Sequence, residues 1–425
     1  MARLYPFQAH RYNPQRVGDV SLVVTQPYDK ISDSLREEYL KRHPQNIVRV
    51  IRNGNYAEAG RFLHDWIEQG VLQQDPSAAF YIYRQEFSFE NQSLSRIGFI
   101  GLIGLSDPGP AIKGHENILD KPLEDRLNLI RATEANEGLI FTLFSDPDLK
   151  AERRLGSYAS GHSPDFDFAD ETGVRHQLWA AADPAFHKLL ISDLEPHTLY
   201  IADGHHRFQT SVLFHRECLE RGWRPAGAES FDKRMVAVFN MESPGLKVLP
   251  THRGVRNLPH FSAEGLLSKL KKSFFVQRRE NADELTAAMK TTPGGIGIVL
   301  NGASECWLLQ VREAESDEES FMPDIRGTAR KLDVNILHEG ILKPLLGIGP
   351  KELARQSFVD YFRERQDLLK EVAQQRYQAA FLLNPTTLQQ VKEISELGEK
   401  MPQKSTDFHP KLLTGLALMK MKIEK

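Results

Sequence analysis

The stretch YIADGHHRFQTS, residues 200–211, sets Asp203, Gly204, His205, His206 and Arg207 side by side. An acid, two imidazoles and a guanidinium in one turn can bind an anion or move protons. Immediately before them LYIA (199–202) reads as a short apolar strand, and a helix is expected to begin around His205 to Phe208. A strand that ends in glycine and feeds a helix points unpaired backbone N–H groups, and the positive end of the helix dipole, into the gap. Arg207 can add a bidentate grip that a lysine cannot. The anion this turn suits best is a phosphate. A plainer reading is that Asp203 caps the helix and the histidines are solvated loop residues. A metal reading also exists, but adjacent histidines point different ways and no further ligand stands at a characteristic spacing.

Four other clusters carry chemistry-bearing residues. QPYDKIS (26–32) places Asp29 just past a predicted strand end, where a carboxylate can act as a base or bind magnesium, or simply form a turn. GHENIL (114–119) offers His115 and Glu116 ahead of a helix, and LPTHRGV (249–255) puts His252 and Arg253 after a strand. MPQKSTDFHPK (401–411) gathers Lys404, Ser405, Thr406 and Lys411 around a turn expected before a last helix. Lys-Ser-Thr resembles the donor set of a phosphate cradle but lacks its GxxxxGK glycine framework. For GHENIL and LPTHRGV, ordinary exposed polar residues are the plain alternative.

The elements that must position these residues alternate without a strict β-α-β rhythm, so the expected fold class is α+β (mixed α/β). SLVVTQPYDKIS (21–32) reads as a β-branched strand ended by Pro27. Residues 55–70 read as a helix with Tyr56, Ala59, Phe62, Leu63, Trp66 and Ile67 on one face. FYIYRQEF (80–87) and RIGFIGLIGL (96–105) look like paired strands, and 122–138 a second helix opened by Pro122. The Gly-, Ser- and Asp-rich segment 152–173 suggests a surface loop. In the helix after the turn, Phe208, Val212 and Leu219 form the expected buried stripe. MVAVFNM (235–241) and LKVLP (246–250) read as strands, GIGIVL (295–300) and ECWLLQV (305–311) as a hairpin. The last hundred residues read as mainly helical around the strand AAFLLN (379–384), with LALMKMKIEK as a packed terminal helix. Two regions are expected: a mixed α/β core over 1–260 that carries the turn, and a C-terminal α+β part over 261–425 that closes over the site.

Bulk properties narrow the function classes. With 54 basic and 57 acidic residues the net charge is −3, which disfavours duplex nucleic acid as a partner. Two cysteines far apart in 425 residues argue against a disulfide framework or a cysteine-built zinc site and fit a reducing compartment. The N-terminal residues have no signal-peptide character, and no window approaches the roughly 18 apolar residues of a membrane span. A cytoplasmic location follows as the expectation.

The motifs QPYDKIS, GHE, EDRLNLIRATEANEG, YIADGHHRFQTS, LPTHR, LDVNILHEGIL, FLLNPT and MPQKSTDFHPKLLTG occur in the order seen in the domain-of-unknown-function family 1015. The resemblance runs from about residue 5 to about residue 418. A strand followed by DGHHR and a helix also looks like the phosphate-binding turn of the ParB and sulfiredoxin-like superfamily, which includes kinases of free serine. That likeness implies a phosphate-binding core elaborated by extra strands. Gly204, His205, His206 and Arg207 would then cradle phosphates, with Asp203, His252, Arg253, Lys404, Ser405, Thr406 and Lys411 as further binding residues. Asp29 or Glu116 would be the base, and His206 and Arg207 would stabilise transition-state charge. The implied cofactors are magnesium and a nucleotide, ATP or ADP. The implied activity is phosphoryl transfer or phosphate-ester chemistry on a small metabolite, such as a hydroxy amino acid. Two alternatives stay open, a nucleotide- or phosphate-sensing regulatory protein and a metal-dependent hydrolase. This chain departs from the family pattern at Gln26, where a proline is usual, and at Ile118, Gln209, Asp407 and His409. Loss of a hydroxyl at 118 and a carboxylate at 209 bears on metal binding or proton transfer.

Overall fold

The long β-branched and aromatic runs at 80–104 and 233–240 form the middle of a nine-stranded mixed sheet. In the computed structural model, residues 3–105, 112–116, 120–312, 322, 325 and 327–425 are described. The chain divides into two compact units, unit 1 comprising Met1–Gly114, Ile118–Lys247 and Pro410–Lys425, and unit 2 comprising His115–Asn117 and Val248–His409. Residue 260, the boundary expected from sequence, lies within unit 2. Ile118 lies outside the described residues.

Unit 1 holds strands β1 (Leu4–Tyr5), β2 (Phe80–Phe89), β3 (Gln92–Gly104), β4 (Ile112–Gly114), β5 (Ile140–Phe144), β6 (Phe166–Ala169), β7 (Arg175–Ala181), β8 (Leu199–Asp203) and β9 (Lys233–Asn240). They lie in the order β4-β8-β5-β9-β3-β2-β7-β6, with β1 paired to β3. Pairs β4/β8 and β5/β9 are parallel and the others antiparallel. All five residues of β5 and the last seven of β9 are buried, as expected of strands covered on both faces. Five of the helices of unit 1 are α1 (Tyr56–Glu68), α2 (Asp120–Thr133), α3 (Lys150–Gly161), α4 (Pro184–Leu194) and α5 (His205–Glu220). Ala151, Leu155 and Ala159 of α3 and Phe186, Leu190 and Leu194 of α4 join the sheet's apolar core, while α1 packs on α2 and α2 on α5.

Unit 2 contains β10 (His252–Val255), β11 (Phe274–Arg279), β12 (Ile296–Leu300), β13 (Cys306–Val311), β14 (Val359–Phe362) and β15 (Ala379–Leu382). They form an antiparallel sheet in the order β11-β13-β12-β15-β10-β14, with the expected hairpin as β12 and β13. Leu285 and Met289 of helix α6 (Ala282–Thr291) and Leu368 and Val372 of α7 (Arg365–Ala373) cover it. The fold is mixed α/β in both units.

Four sequence expectations are corrected. Residues 21–32 are not a strand: a 3-10 turn over Val20–Leu22, capped by Asp19, is followed by a lone bridge from Thr25 to Thr414 and a second turn over Tyr28–Lys30. Pro27 has no N–H to extend a ladder. The expected loop at 152–173 contains most of α3 and all of β6. The apolar i, i+4, i+8 spacing of Ala151, Leu155 and Ala159 outweighs the two glycines within α3. Leu219 is 52% exposed, and α5 instead buries His205, Thr210, Ser211, Phe214 and Cys218. Finally, no terminal helix follows the 401–411 turn. Met419–Lys420 pairs with Ala135–Asn136, and Ile423–Glu424 pairs with Arg224–Pro225. Alternation of buried Met419 and Met421 with more exposed Lys420 and Lys422 is a strand period, not a helical one.

Candidate functional site

Strand β8, flanked by β4 and β5, ends at Asp203, and Gly204 turns the chain with φ +98°. That left-handed conformation favours glycine, and the Arg207 guanidinium would stand 3.2 Å from any Cβ placed there. Helix α5 begins at His205, and no side chain caps it. Asp203 therefore does not serve as the cap. One of its oxygens accepts from Arg207 Nη2 at 3.3 Å, and the other from Lys411 Nζ at 3.1 Å. Burial alone would raise the Asp203 pKa, but Lys411, Arg207 and Lys30 outweigh it and hold the carboxyl well below its usual range. Lys411 is carried by a segment pinned to the sheet. The buried Arg96 donates to the Pro410 carbonyl at 2.5 Å, and Gln85 donates to the Lys411 carbonyl at 2.9 Å.

Arg207 also donates through Nη1 to the Leu139 carbonyl. It lines a cavity of about 40 Å³ with Tyr28, Arg126, Glu137, Thr210, Ser211 and Arg234 among its walls. Arg126 stacks on the Tyr28 ring at 4.1 Å and pairs with Asp125. Burial, with Asp29 adding to it, pushes the Tyr28 hydroxyl up to about 12. Burial also raises the Glu137 pKa, and burial and the neighbouring Arg207 lower Arg234 to about 9. Asp29 itself is exposed on the 3-10 turn beside Tyr28. A second groove, about 300 Å³, shares Ile51, Arg126 and Leu129 with this cavity and adds Arg36, Arg52 and Tyr56.

Unit 2 gathers the remaining expected residues by themselves. Glu116 bridges to Met401, and its Oε1 accepts from the Lys404 N–H at 3.1 Å. His115 Nε2 meets Thr406 Oγ1 at 3.3 Å. Arg253, almost fully buried, donates to the carbonyls of Thr251 and Lys404, the latter at 3.0 Å. Ser405 Oγ donates to the Pro402 carbonyl at 2.5 Å, and Thr386 donates to the Ser405 carbonyl at 2.8 Å. Lys404 sits at φ +58°. The loop 401–406 is thus held in one conformation by Glu116, Arg253 and Thr386. His252 accepts from the Leu383 N–H at 3.2 Å, and burial, reinforced by Arg253 and Arg365, depresses its pKa to about 4. Of the departures from the family pattern, Asp407 is buried and accepts from Arg363 at 2.6 Å, while Gln209 and His409 are partly exposed.

Asp29, Asp203, Gly204, His205, His206, Arg207 and Lys411 therefore belong to unit 1, and Glu116, His252, Arg253, Lys404, Ser405 and Thr406 to unit 2. Sequence reasoning did not single out Tyr28, Arg126, Glu137 or Arg234. Three of these lay inside the motifs QPYDKIS and EDRLNLIRATEANEG. The signal for Arg234 was a charged residue at the start of an otherwise apolar strand. Among the described residues no group of three His, Cys, Asp or Glu side chains gathers to hold a metal, and no helix is long and apolar enough to cross a membrane.

A mixed α/β chain whose central sheet ends in a strand–glycine–helix turn, ringed by basic side chains, is the class these features define. The chain belongs to the family described as "Protein of unknown function (DUF1015)", whose model matches residues 4–335. No curated protein matches it. Among solved structures it is similar to a free serine kinase in complex with AMP, at 13% identity and TM-score 0.39, covering 72% of this chain and 86% of that one. It is also similar to a conserved hypothetical protein from Pyrococcus furiosus (13%, TM-score 0.36, 73% and 91%) and to SbnI from Staphylococcus aureus (13%, TM-score 0.35, 74% and 85%). None of these likenesses assigns a ligand or a residue role to the chain.

Proposed function

We propose that the chain is a phosphoryl-transfer or phosphate-ester enzyme acting on a small metabolite, with the phosphate held at the Asp203–Arg207 turn. The observation that carries this reading is the start of α5. A sixteen-residue helix begins without a side-chain cap, directly after a glycine at positive φ. The adjacent carboxylate, Asp203, is neutralised by Lys411 and Arg207 instead of occupying the helix end. An oxyanion meeting the first-turn N–H groups gains both hydrogen bonds and the helix dipole. In this reading Asp203 is a positioning residue for Arg207 and Lys411. His206, partly exposed on the first turn, faces the developing charge, and Asp29, exposed on its own turn, is the candidate base. A nucleotide, ATP or ADP, would bring its own magnesium; phosphoryl transfer needs little else from the protein than positioning and charge stabilisation. Glu116, His252, Arg253, Lys404, Ser405 and Thr406, gathered within unit 2, are proposed as binding residues in their own right.

The test is a thermal-shift series on the full chain with ATP, ADP, pyrophosphate and phosphoserine, each with and without magnesium. A ligand at about a hundred times its Kd stabilises the native state by about 2.7 kcal/mol. The expected result is a rise in melting temperature with a phosphate-bearing ligand that His206→Ala reduces and Arg207→Lys largely removes. Indifference of the wild-type melt to all four ligands would reject the phosphate site.

A further inference from the structure

The second groove of unit 1, about 300 Å³, gathers three guanidiniums from outside the turn at 203–207. Arg36 comes from the helix Asp33–Arg42, Arg52 caps the C-terminus of the short helix Val48–Ile51, and Arg126 comes from α2. Local chemistry accounts for two of the three, because the last carbonyls of a helix have no partner within it. Arg36 Nε donates to the Arg52 carbonyl at 2.7 Å, and Arg126 Nη1 donates to the Ile51 carbonyl at 3.1 Å. The Arg52 guanidinium closes no such gap. Its Nη2 meets Asp33 Oδ1 at 3.2 Å, and the Asp33 side chain is 99% exposed. Arg36 Nη1 likewise meets the exposed Glu37 carboxylate at 2.8 Å. Pairs with carboxylates so open to water contribute little to stability. Among the described residues, Arg36 Nη2 and Arg52 Nη1 have no partner. Asp125 does not offset them, since its oxygens accept from Tyr56 and Arg126.

We infer that this groove binds a small molecule carrying two or more oxyanion groups, seated across Arg36 and Arg52 with Arg126 adding its charge. The carboxylates of Asp33 and Glu37 stand in for the ligand: each rests on a guanidinium that a ligand oxyanion would take over. A guanidinium fork grips carboxylate or phosphoryl oxygens in pairs, and a ligand with two such groups displaces both exposed side chains at once. Polycarboxylates and polyphosphates share this chemistry. None of residues 203–207 lines the groove, so the assignment stands independently of a phosphate at the turn.

Isothermal titration of the full chain with citrate, pyrophosphate and acetate, at low and at physiological salt, tests the assignment. Citrate or pyrophosphate is expected to bind about tenfold or more tighter than acetate, and less tightly at the higher salt. In an Arg207→Lys background, preference for citrate identifies a polycarboxylate and preference for pyrophosphate a polyphosphate. Arg52→Gln should weaken this binding about tenfold and leave the melting temperature near that of wild type, because the guanidinium holds only an exposed carboxylate. Asp33→Asn removes the competing carboxylate and should tighten binding about two- to fivefold, the worth of one exposed ion pair. A cluster with no ligand predicts no such gain. Acetate binding as tightly as the other two, no binding of either, or Arg52→Gln and Asp33→Asn proteins that both titrate as wild type does, overturns the inference. Arg207→Lys separates the groove from the turn. Binding that Arg207→Lys keeps and Arg52→Gln loses belongs to the groove. Binding that Arg207→Lys loses and Arg52→Gln keeps belongs to the turn alone and sinks the groove.

Discussion

Replacing Lys411 by methionine removes an ammonium and keeps most of an aliphatic stem that is 7% exposed. Asp203, 22% exposed, then loses its 3.1 Å contact and keeps Arg207 at 3.3 Å and the field of Lys30. A hydrogen bond to a charged group contributes about 1.5–3 kcal/mol. Because one partner and some water remain, the lower half of that range applies, about 1.5–2 kcal/mol at pH 7. For a unit of this size that corresponds to a fall in Tm of roughly 3–8 °C. The pH dependence gives a sharper signature. Asp203 is held ionised in the folded chain far below the ordinary carboxylate value of about 3.9, so between pH 4 and pH 2 the unfolded chain binds the extra proton. The stability conferred by the pair is therefore fully present above about pH 4 and is lost as pH falls below it. Lys411→Met has less of this stability to lose. Urea unfolding of both proteins at pH 7, 5, 4 and 3 should show a gap that is constant down to pH 5 and narrows below pH 4. A gap under about 0.5 kcal/mol at pH 7, or one that stays constant to pH 3, would refute the account of Asp203 as an anion held by Lys411.

Three further outcomes follow from the same geometry. Gly204→Val should cost about 1–3 kcal/mol, since it forces a branched residue to φ +98° against the Arg207 guanidinium; a denaturant midpoint equal to wild type would remove the strain argument. Phe214→Ala should cost about 3–5 kcal/mol while Leu219→Gln stays within about 0.5 kcal/mol, and equal effects would contradict the observed face of α5. His252 is buried neutral with a pKa of about 4, so protons favour the unfolded chain between pH 6.5 and 4 and this contribution falls as pH drops through that window. The ring resonances of His252 should be flat from pH 8 to pH 5, and a titration midpoint above 6 would disprove its burial as a neutral acceptor.

The turn at 203–207 was legible because its parts are local: an apolar strand, a glycine and a helix start lie within nine residues. The hairpin of β12 and β13 was legible for the same reason. What escaped depends on partners distant in sequence. Nothing near Asp203 announces that Lys411, 208 residues later, will hold it, and the capping role that local chemistry suggested yields to that ion pair. Helix α3 was hidden by composition, since Gly156, Ser157, Ser160 and Gly161 read as loop until their apolar neighbours find the sheet. The C-terminal segment misled for the opposite reason. Leu, Met and Lys are good helix formers, yet pairing with Ala135–Asn136 and Arg224–Pro225 fixes them as strands, tertiary context overriding propensity. The cavity residues were missed because Glu137 and Arg234 are unremarkable singly, and only the sheet brings them to one wall.

The route of the chain sets a timetable for unit 1. Residues 248–409 are made before the segment 410–425 that Arg96 and Gln85 grip and that carries Lys411. At synthesis rates of about 5–20 residues per second, Asp203 waits roughly 10–40 s for its cation. During that interval the nascent unit 1 carries the turn with its carboxylate held only from the side of Arg207 and Lys30, and Ala135–Asn136 lacks its two-stranded pairing with Met419–Lys420. A message broken anywhere between residues 248 and 409 therefore yields a chain that contains every residue of the turn and still lacks the finished site.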